Sequence, residues 1–175
     1  DLGVPELTPE QAAERGAKTL VIGTVSPGGI LPERWLELLR RALDAGLNIA
    51  SGMHQRLSDV PELVERANAN GTRLIDVRHH DGPLSVGSGR LRSGKRLLTV
   101  GTDCAIGKKY AALALAQGLT QRGVDADFRA TGQTGILIAG QGIAVDAVVS
   151  DFVSGAAEAL SPAAPDKHWD VVEGQ

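Results

Sequence analysis

The strongest constraint on the fold lies in residues 98–119, LTVGTDCAIGKKYAALALAQGL. An apolar run leads into a glycine turn, a Gly-Lys pair follows, and a stretch rich in Ala and Leu comes next. That order predicts a strand, a tight loop and a helix, the layout of a phosphate-binding loop. Gly101 and Gly107 let the backbone curl so that several N–H groups point inward. The helix start adds its positive end, and Lys108 can reach a bound phosphate. Two departures stand out from the usual spacing, in which four residues separate the glycines and Ser or Thr follows the lysine. Five residues lie between Gly101 and Gly107, and Lys109 occupies the place of the magnesium-binding hydroxyl. An ordinary glycine-rich turn with a solvated lysine pair fits the same letters.

Two acidic residues strengthen the phosphate reading. Asp103 lies within the loop and can act as a metal or water ligand. Glu173 closes the apolar run 170–173, DVVE, just before Gly174. A parallel sheet presents such strand ends at the edge where phosphates bind.

The rest of the chain fits an α/β fold. Residues 18–29 read as a strand and a glycine-proline turn. Residues 32–46 form an amphipathic helix in which Trp35, Leu38, Leu39 and Leu43 share a face. A short strand and loop are expected at 47–54. A helix at 59–71 has Asp59 as its N-cap and Glu62 three residues on, and a third strand spans 73–78. This β-α-β-α-β order predicts a small Rossmann-like parallel unit over residues 1–78. Residues 79–95 look like a linker. Residues 96–175 then form the N-terminal part of a P-loop NTPase-like domain, with strands at 96–100, 124–130 and 168–173 and helices at about 107–122 and 151–161. The turn at 131–135, TGQTG, is expected as a loop, and 143–149 as a short strand or helix.

Bulk properties exclude several classes. Aromatics are 3% of the 175 residues, so the core must rest on Ala, Val, Leu and Ile. A net charge of -3 implies no general nucleic-acid surface. The one cysteine excludes an internal disulfide and a multi-cysteine metal site. No apolar run approaches the ~20 residues needed to span a bilayer, so a cytoplasmic protein without membrane contact is expected. The histidine pair at 79–80 with Asp81 points in divergent directions along an extended chain, and no metal site is expected. Both ends look unfinished, and a fragment of a longer protein is expected.

The loop GTDCAIGK resembles that of dethiobiotin synthetase and related amide-forming P-loop enzymes, and VVEG at 171–174 is similar to a segment of the same group. A closer resemblance is to the bacterial DgcN-type D-glutamate N-acetyltransferases. It is carried by SPGG at 26–29, ASGMH at 50–54, DVR at 76–78, GTDCAIGKKY at 101–110, ATGQTGILIAGQGIAVD at 130–146 and SDFVSGAAE at 150–158. The resemblance covers nearly the whole chain. Those proteins pair a Rossmann-like domain with a P-loop domain and are about twice as long. Their Gly-Lys is commonly followed by Lys or Met, which makes Lys109 a family trait.

The resemblance implies acetyl-CoA as donor and D-glutamate as acceptor. On that reading residues Gly101, Thr102, Asp103, Cys104, Ala105, Ile106, Gly107, Lys108, Lys109 and Tyr110 bind the cofactor, with a diphosphate or 3′-phosphate of coenzyme A on the loop. Glu173, Asp151 and Asp146 are candidate bases for the amine. Backbone N–H groups of 131–135 and 139–142 are candidate oxyanion donors. Arg129, Gln133, Thr134 and His54 are candidate contacts to the small-molecule substrate. A homo-oligomer, or association with a missing C-terminal part, is the expected assembly. Two other classes compete: an ATP- and Mg-dependent ligase or kinase, which the absent hydroxyl disfavours, and a nucleotide-binding protein without catalysis.

Overall fold

The computed structural model describes residues 3–80 and 82–175. Asp81, and with it part of the histidine-aspartate cluster, lies outside the described residues. The chain divides into two compact units, Asp1–Arg78 and His79–Gln175.

In the first unit a helix α1 (Pro9–Glu14) precedes β1 (Thr19–Ile22), α2 (Glu33–Asp44), β2 (Asn48–Ser51), α3 (Pro61–Asn70) and β3 (Leu74–Asp76). The strands are parallel in the order β1-β2-β3. Alternation along β1 turns Leu20 and Ile22 toward the core and leaves Val21 exposed. The core joins Leu39 and Leu43 of α2, Ile49 of β2 and Leu63 and Ala67 of α3 with the loop residues Leu31, Met53 and Leu57. Burying each such Leu contributes about 1.5–3 kcal/mol.

Two features depart from the sequence reading. The opening polar stretch contains α1, because Thr8 and Gln11 cap it reciprocally. Asp59 does not cap α3. It sits in a short 3-10 turn, Val60 holds the cap position without a side-chain bond, and Pro61 starts the helix. Asp76, at the end of β3, fixes that turn by accepting the N–H groups of Leu57 and Ser58.

The second unit contains β4 (Lys95–Leu98), α4 (Lys108–Gln121), β5 (Ala126–Arg129), α5 (Gln133–Ala139), α6 (Val153–Leu160) and β6 (Trp169–Val172). Its parallel strands run β4-β6-β5. Thus β6, last in sequence, lies between the other two. Ala112 and Ala116 of α4 pack on Val171 of β6, with Leu97, Leu119 and Phe128 around them. Small side chains on α4 let it approach the sheet closely.

The segment expected as the loop at 131–135 runs into α5, and 143–149 holds a 3-10 turn at Val145–Ala147. Part of the expected linker is tied to α6. Ser154 Oγ accepts the Gly87 N–H at 3.1 Å, and the Glu158 carboxylate accepts those of Ser88 and Gly89 at 2.9 and 3.0 Å. Position 155 must be Gly there, since a Cβ would lie 1.7 Å from the Ser85 carbonyl oxygen. These bonds bridge more than sixty residues of sequence, which local composition does not reveal.

Candidate functional site

At the carboxyl end of β4 the chain enters the loop 101–107 and leaves it into α4. Gly107 is left-handed at φ +98° and opens the helix. Ala105 is also left-handed, at φ +56°, a conformation that strains an L-residue with a Cβ. A left-handed residue beside a right-handed one turns successive backbone N–H groups into a shared concavity. Gly101 lies close under the Ile106 side chain: a Cβ there would fall 2.1 Å from Ile106 Cδ1, which would have to shift. Lys108 folds back over the loop and donates from Nζ to the Asp103 carbonyl at 2.6 Å. The Asp103 carboxylate accepts the Cys104 N–H at 2.7 Å, so this acid shapes the loop from within.

Glu173 follows β6 and is buried. Its Oε2 accepts the N–H groups of Thr131 and Gly132 at 3.0 and 3.1 Å, at the entry to α5. Gly135 makes room for that carboxylate, since a Cβ there would lie 2.2 Å from Oε2. The Thr131 hydroxyl donates to the Glu173 carbonyl at 2.8 Å. Two of the backbone donors that the sequence suggested for an oxyanion are therefore bonded to Glu173.

These elements enclose an open cavity of about 450 Å³. Its walls are Cys104, Ala105, Gly107, Lys108, Lys109 and Tyr110 on one side, with Gly132, Gln133, Thr134 and Glu173–Gln175 on the other. Lys109 lines the cavity with its ammonium 4.7 Å from the centre of the Tyr110 ring. A second cavity of about 460 Å³ shares the wall Glu173–Gln175 and is more apolar, with Leu98, Val100, Val145, Val153, Leu160 and Val172 along it. The first cavity suits an anion: its loop wall carries Gly107 at positive φ and two lysines. A phosphate of coenzyme A fits this lining, with Gly107, Lys108 and Lys109 to hold it.

Family models agree with this division. A P-loop domain model of a family of unknown function, DUF1611, matches residues 85–175. The Rossmann-like domain model of that family matches residues 1–80. The chain belongs to the DUF1611 family. This DUF1611 chain is 50% identical over 165 residues to a D-glutamate N-acetyltransferase of a Pseudoalteromonas species, covering 94% of this chain and 50% of that protein. It is 48% identical over 175 residues to a D-glutamate N-acetyltransferase of Tritonibacter scottomollicae, covering 100% of this chain and 53% of that one. The crystal structure of a DUF1611 protein from Anabaena variabilis superposes with a TM-score of 0.83 at 38% identity, over 96% of this chain and 49% of that one. The DUF1611 chain thus spans about half the length of the relatives it matches. The Rossmann-like and P-loop readings agree with the family models and with the two parallel sheets.

The structure gathers some of the residues expected at the site and separates others. Cys104, Ala105, Gly107, Lys108, Lys109, Tyr110, Gln133, Thr134 and Glu173 line one cavity. Gly101 lines the apolar cavity instead. Thr102, Asp103 and Ile106 are exposed parts of the loop that line neither of these two cavities. Asp146 and Asp151 sit exposed in 3-10 turns and line neither. Arg129 is turned to Asp170, with Nε 2.6 Å from Oδ1, and to Asp127 at 3.2 Å. His54 belongs to the first unit and packs against Gly29, where a Cβ would lie 2.5 Å from its ring. No cluster of metal-ligating side chains occurs among the described residues. No helix among them is long and apolar enough to cross a membrane.

Sequence reasoning missed Gln175, which also lines the polar cavity. Gly132, on the same wall, stood within the quoted 131–135 turn. Nothing in the local sequence around Gln175 marks it.

Proposed function

We propose that this chain carries the phosphate-binding part of an N-acetyltransferase that moves acetyl from acetyl-CoA to the amine of D-glutamate. The observation that supports this most is the cavity itself: a glycine loop and two lysines on one wall, a buried carboxylate on the other. The shared identity of 48–50% with two D-glutamate N-acetyltransferases supports the substrate pair.

Acetyl-CoA supplies an acyl group already activated as a thioester. The loop backbone and Lys108 hold a phosphate, and Lys109 adds positive charge at the same wall. Because Lys109 replaces the usual hydroxyl, the loop lacks the side chain that fixes magnesium in nucleotide-hydrolysing sites. Glu173 is the carboxylate facing the cavity, and it takes a proton from the substrate ammonium so that the nitrogen can attack the thioester carbonyl; the C–S bond then breaks, the amide nitrogen gives up its second proton and coenzyme A leaves as the free thiol. Its Oε2 is anchored by two N–H groups, which fixes where the second oxygen sits. Gln133 and Thr134 line the same wall and contact the amino-acid substrate. The outer edge of β4, unpaired among the described residues, and the apolar cavity beside it support association with further polypeptide, either a second copy or the remaining half of a longer protein.

The test is direct. The full-length protein is incubated with acetyl-CoA and D-glutamate, then with ATP and Mg²⁺, and free thiol and phosphate are followed. Thiol release that requires D-glutamate is the expected result, and Lys108→Met should weaken coenzyme A binding at least tenfold, about 1.4 kcal/mol. Phosphate release with no thiol would overturn the proposal in favour of an ATP-dependent ligase or kinase. Binding without either product would leave a nucleotide-binding protein.

A further inference from the structure

Thr99 lies between β4 and the loop, is largely buried, and joins the two walls of the polar cavity without lining it. Its hydroxyl donates to the Lys108 carbonyl at 3.1 Å. The same oxygen accepts the Gly174 N–H at 3.1 Å. Its own N–H donates to the Val172 carbonyl at 3.1 Å, extending the β4-β6 ladder by one step. A hydroxyl is the only common small group that donates and accepts at one atom. Here it spends one role on the residue that carries the phosphate-binding ammonium and the other on the residue after the buried acid.

The geometry at Gly174 shows how close this joint is. A Cβ there would lie 1.8 Å from the Thr99 carbonyl oxygen and 3.3 Å from Lys108 Cδ. The two backbone strands and the lysine stem therefore meet at van der Waals distance, and the Thr99 hydroxyl is the polar tie across them. Glu173 is next in the chain to Gly174, and its carboxylate is itself bonded to the entry of α5. A path of direct bonds thus runs from Lys108 through Thr99 and Gly174 to Glu173 and on to Thr131 and Gly132.

We infer that Thr99 is a positioning residue that sets the spacing between the Lys108 wall and the Glu173 wall of the anion cavity. The role rests on the phosphate reading of the cavity for its consequence, though not for its geometry. Losing the hydroxyl leaves the part-buried Gly174 N–H without its acceptor and removes the tie to the Lys108 carbonyl, while the Thr99 N–H bond to Val172 stays. Val keeps the shape and β-branching of Thr while removing both bonds. Ser keeps both bonds while removing only a methyl.

Two measurements test this on Thr99→Val and Thr99→Ser. The first is backbone amide exchange by mass spectrometry. Thr99→Val should speed exchange at least fivefold in peptides covering 171–175 and 108–111 together, with residues 33–44 of the first unit unchanged. Thr99→Ser should restore the wild-type rates. The second is calorimetric titration with inorganic pyrophosphate. Thr99→Val should bind about tenfold more weakly, and Thr99→Ser within about threefold of wild type, the size expected for one lost tie of this kind. Exchange that rises at only one of the two segments, or Thr99→Ser behaving like Thr99→Val, would overturn the inference. So would unchanged pyrophosphate affinity in Thr99→Val when the wild type binds. If the wild type binds no pyrophosphate, the phosphate reading fails, and the exchange result alone decides whether Thr99 ties the walls together.

Discussion

Asp170→Asn is the substitution whose cost can be worked most fully from the structure. Asp170 is 1% exposed at the centre of the second sheet. It accepts from Arg129 Nε at 2.6 Å, Ser161 Oγ at 2.5 Å and His168 Nε2 at 3.1 Å. Among the described residues Arg129 in turn keeps Asp127, which is 57% exposed, as its other carboxylate partner. Removing one member of a buried ion pair costs roughly 3–5 kcal/mol, because the remaining charge loses its compensation. Arg129 is 19% exposed and retains Asp127, so water and that carboxylate offset part of the loss. The expected destabilisation is therefore about 3 kcal/mol, at the low end of that range. Urea unfolding should be followed through Trp169, the neighbour of Asp170, in a Trp35→Phe background that silences the tryptophan of the first unit. The pair Asp170→Leu with Arg129→Met should cost less than Asp170→Asn alone, since neither buried charge then remains. A loss below about 0.5 kcal/mol for Asp170→Asn, the usual scatter of surface changes, would refute the view that this cluster holds β5 to β6.

Three further outcomes are expected. Burial opposes the charged form of His168, but its bonds to Asp125 and Asp170 outweigh that and hold its pKa above the ordinary value of 6.5. Its contribution is therefore complete below pH 6.5 and falls as pH rises through the folded-state pKa, so His168→Gln should flatten the decline in stability from pH 6.5 to 8.5 in thermal melts. Gly174→Ala should push the Glu173 and Thr99 strands apart, since its Cβ would meet the Thr99 carbonyl oxygen at 1.8 Å. A loss of about 1–3 kcal/mol and weaker pyrophosphate binding should appear in denaturation and calorimetry. Ala105→Gly should relieve the left-handed strain at φ +56° and raise stability by about 1 kcal/mol, measured by urea denaturation.

Much of the architecture was legible because its causes are local. The helical face of Trp35, Leu39 and Leu43 and the apolar runs at β1, β2 and β4 follow from side-chain period alone. The loop 101–107 was legible as a turn because its glycines interrupt an apolar run just before a stretch rich in Ala and Leu. What escaped were partners distant in sequence. Asp59 looked like a cap for α3, yet Asp76, seventeen residues on, holds that turn. Arg129 looked free to meet a substrate carboxylate, yet a strand neighbour forty-one residues away takes it. The segment 87–89 has a linker's composition, but Ser154 and Glu158 of α6 accept its backbone N–H groups.

By itself the sequence determined where the strands and most helices form, and that a phosphate-type loop joins β4 to α4. Those outcomes depend on backbone preference and on the burial of neighbours a few residues apart. Only the tertiary structure decided what faces that loop. Insertion of β6 between β4 and β5 brings Glu173 and Gly174 to the loop's edge, more than sixty residues from Lys108 in sequence. The same insertion buries Asp170 and so withdraws Arg129 from the cavity. Strand order is a property of the packed sheet, and it set which charged groups were left to meet a ligand.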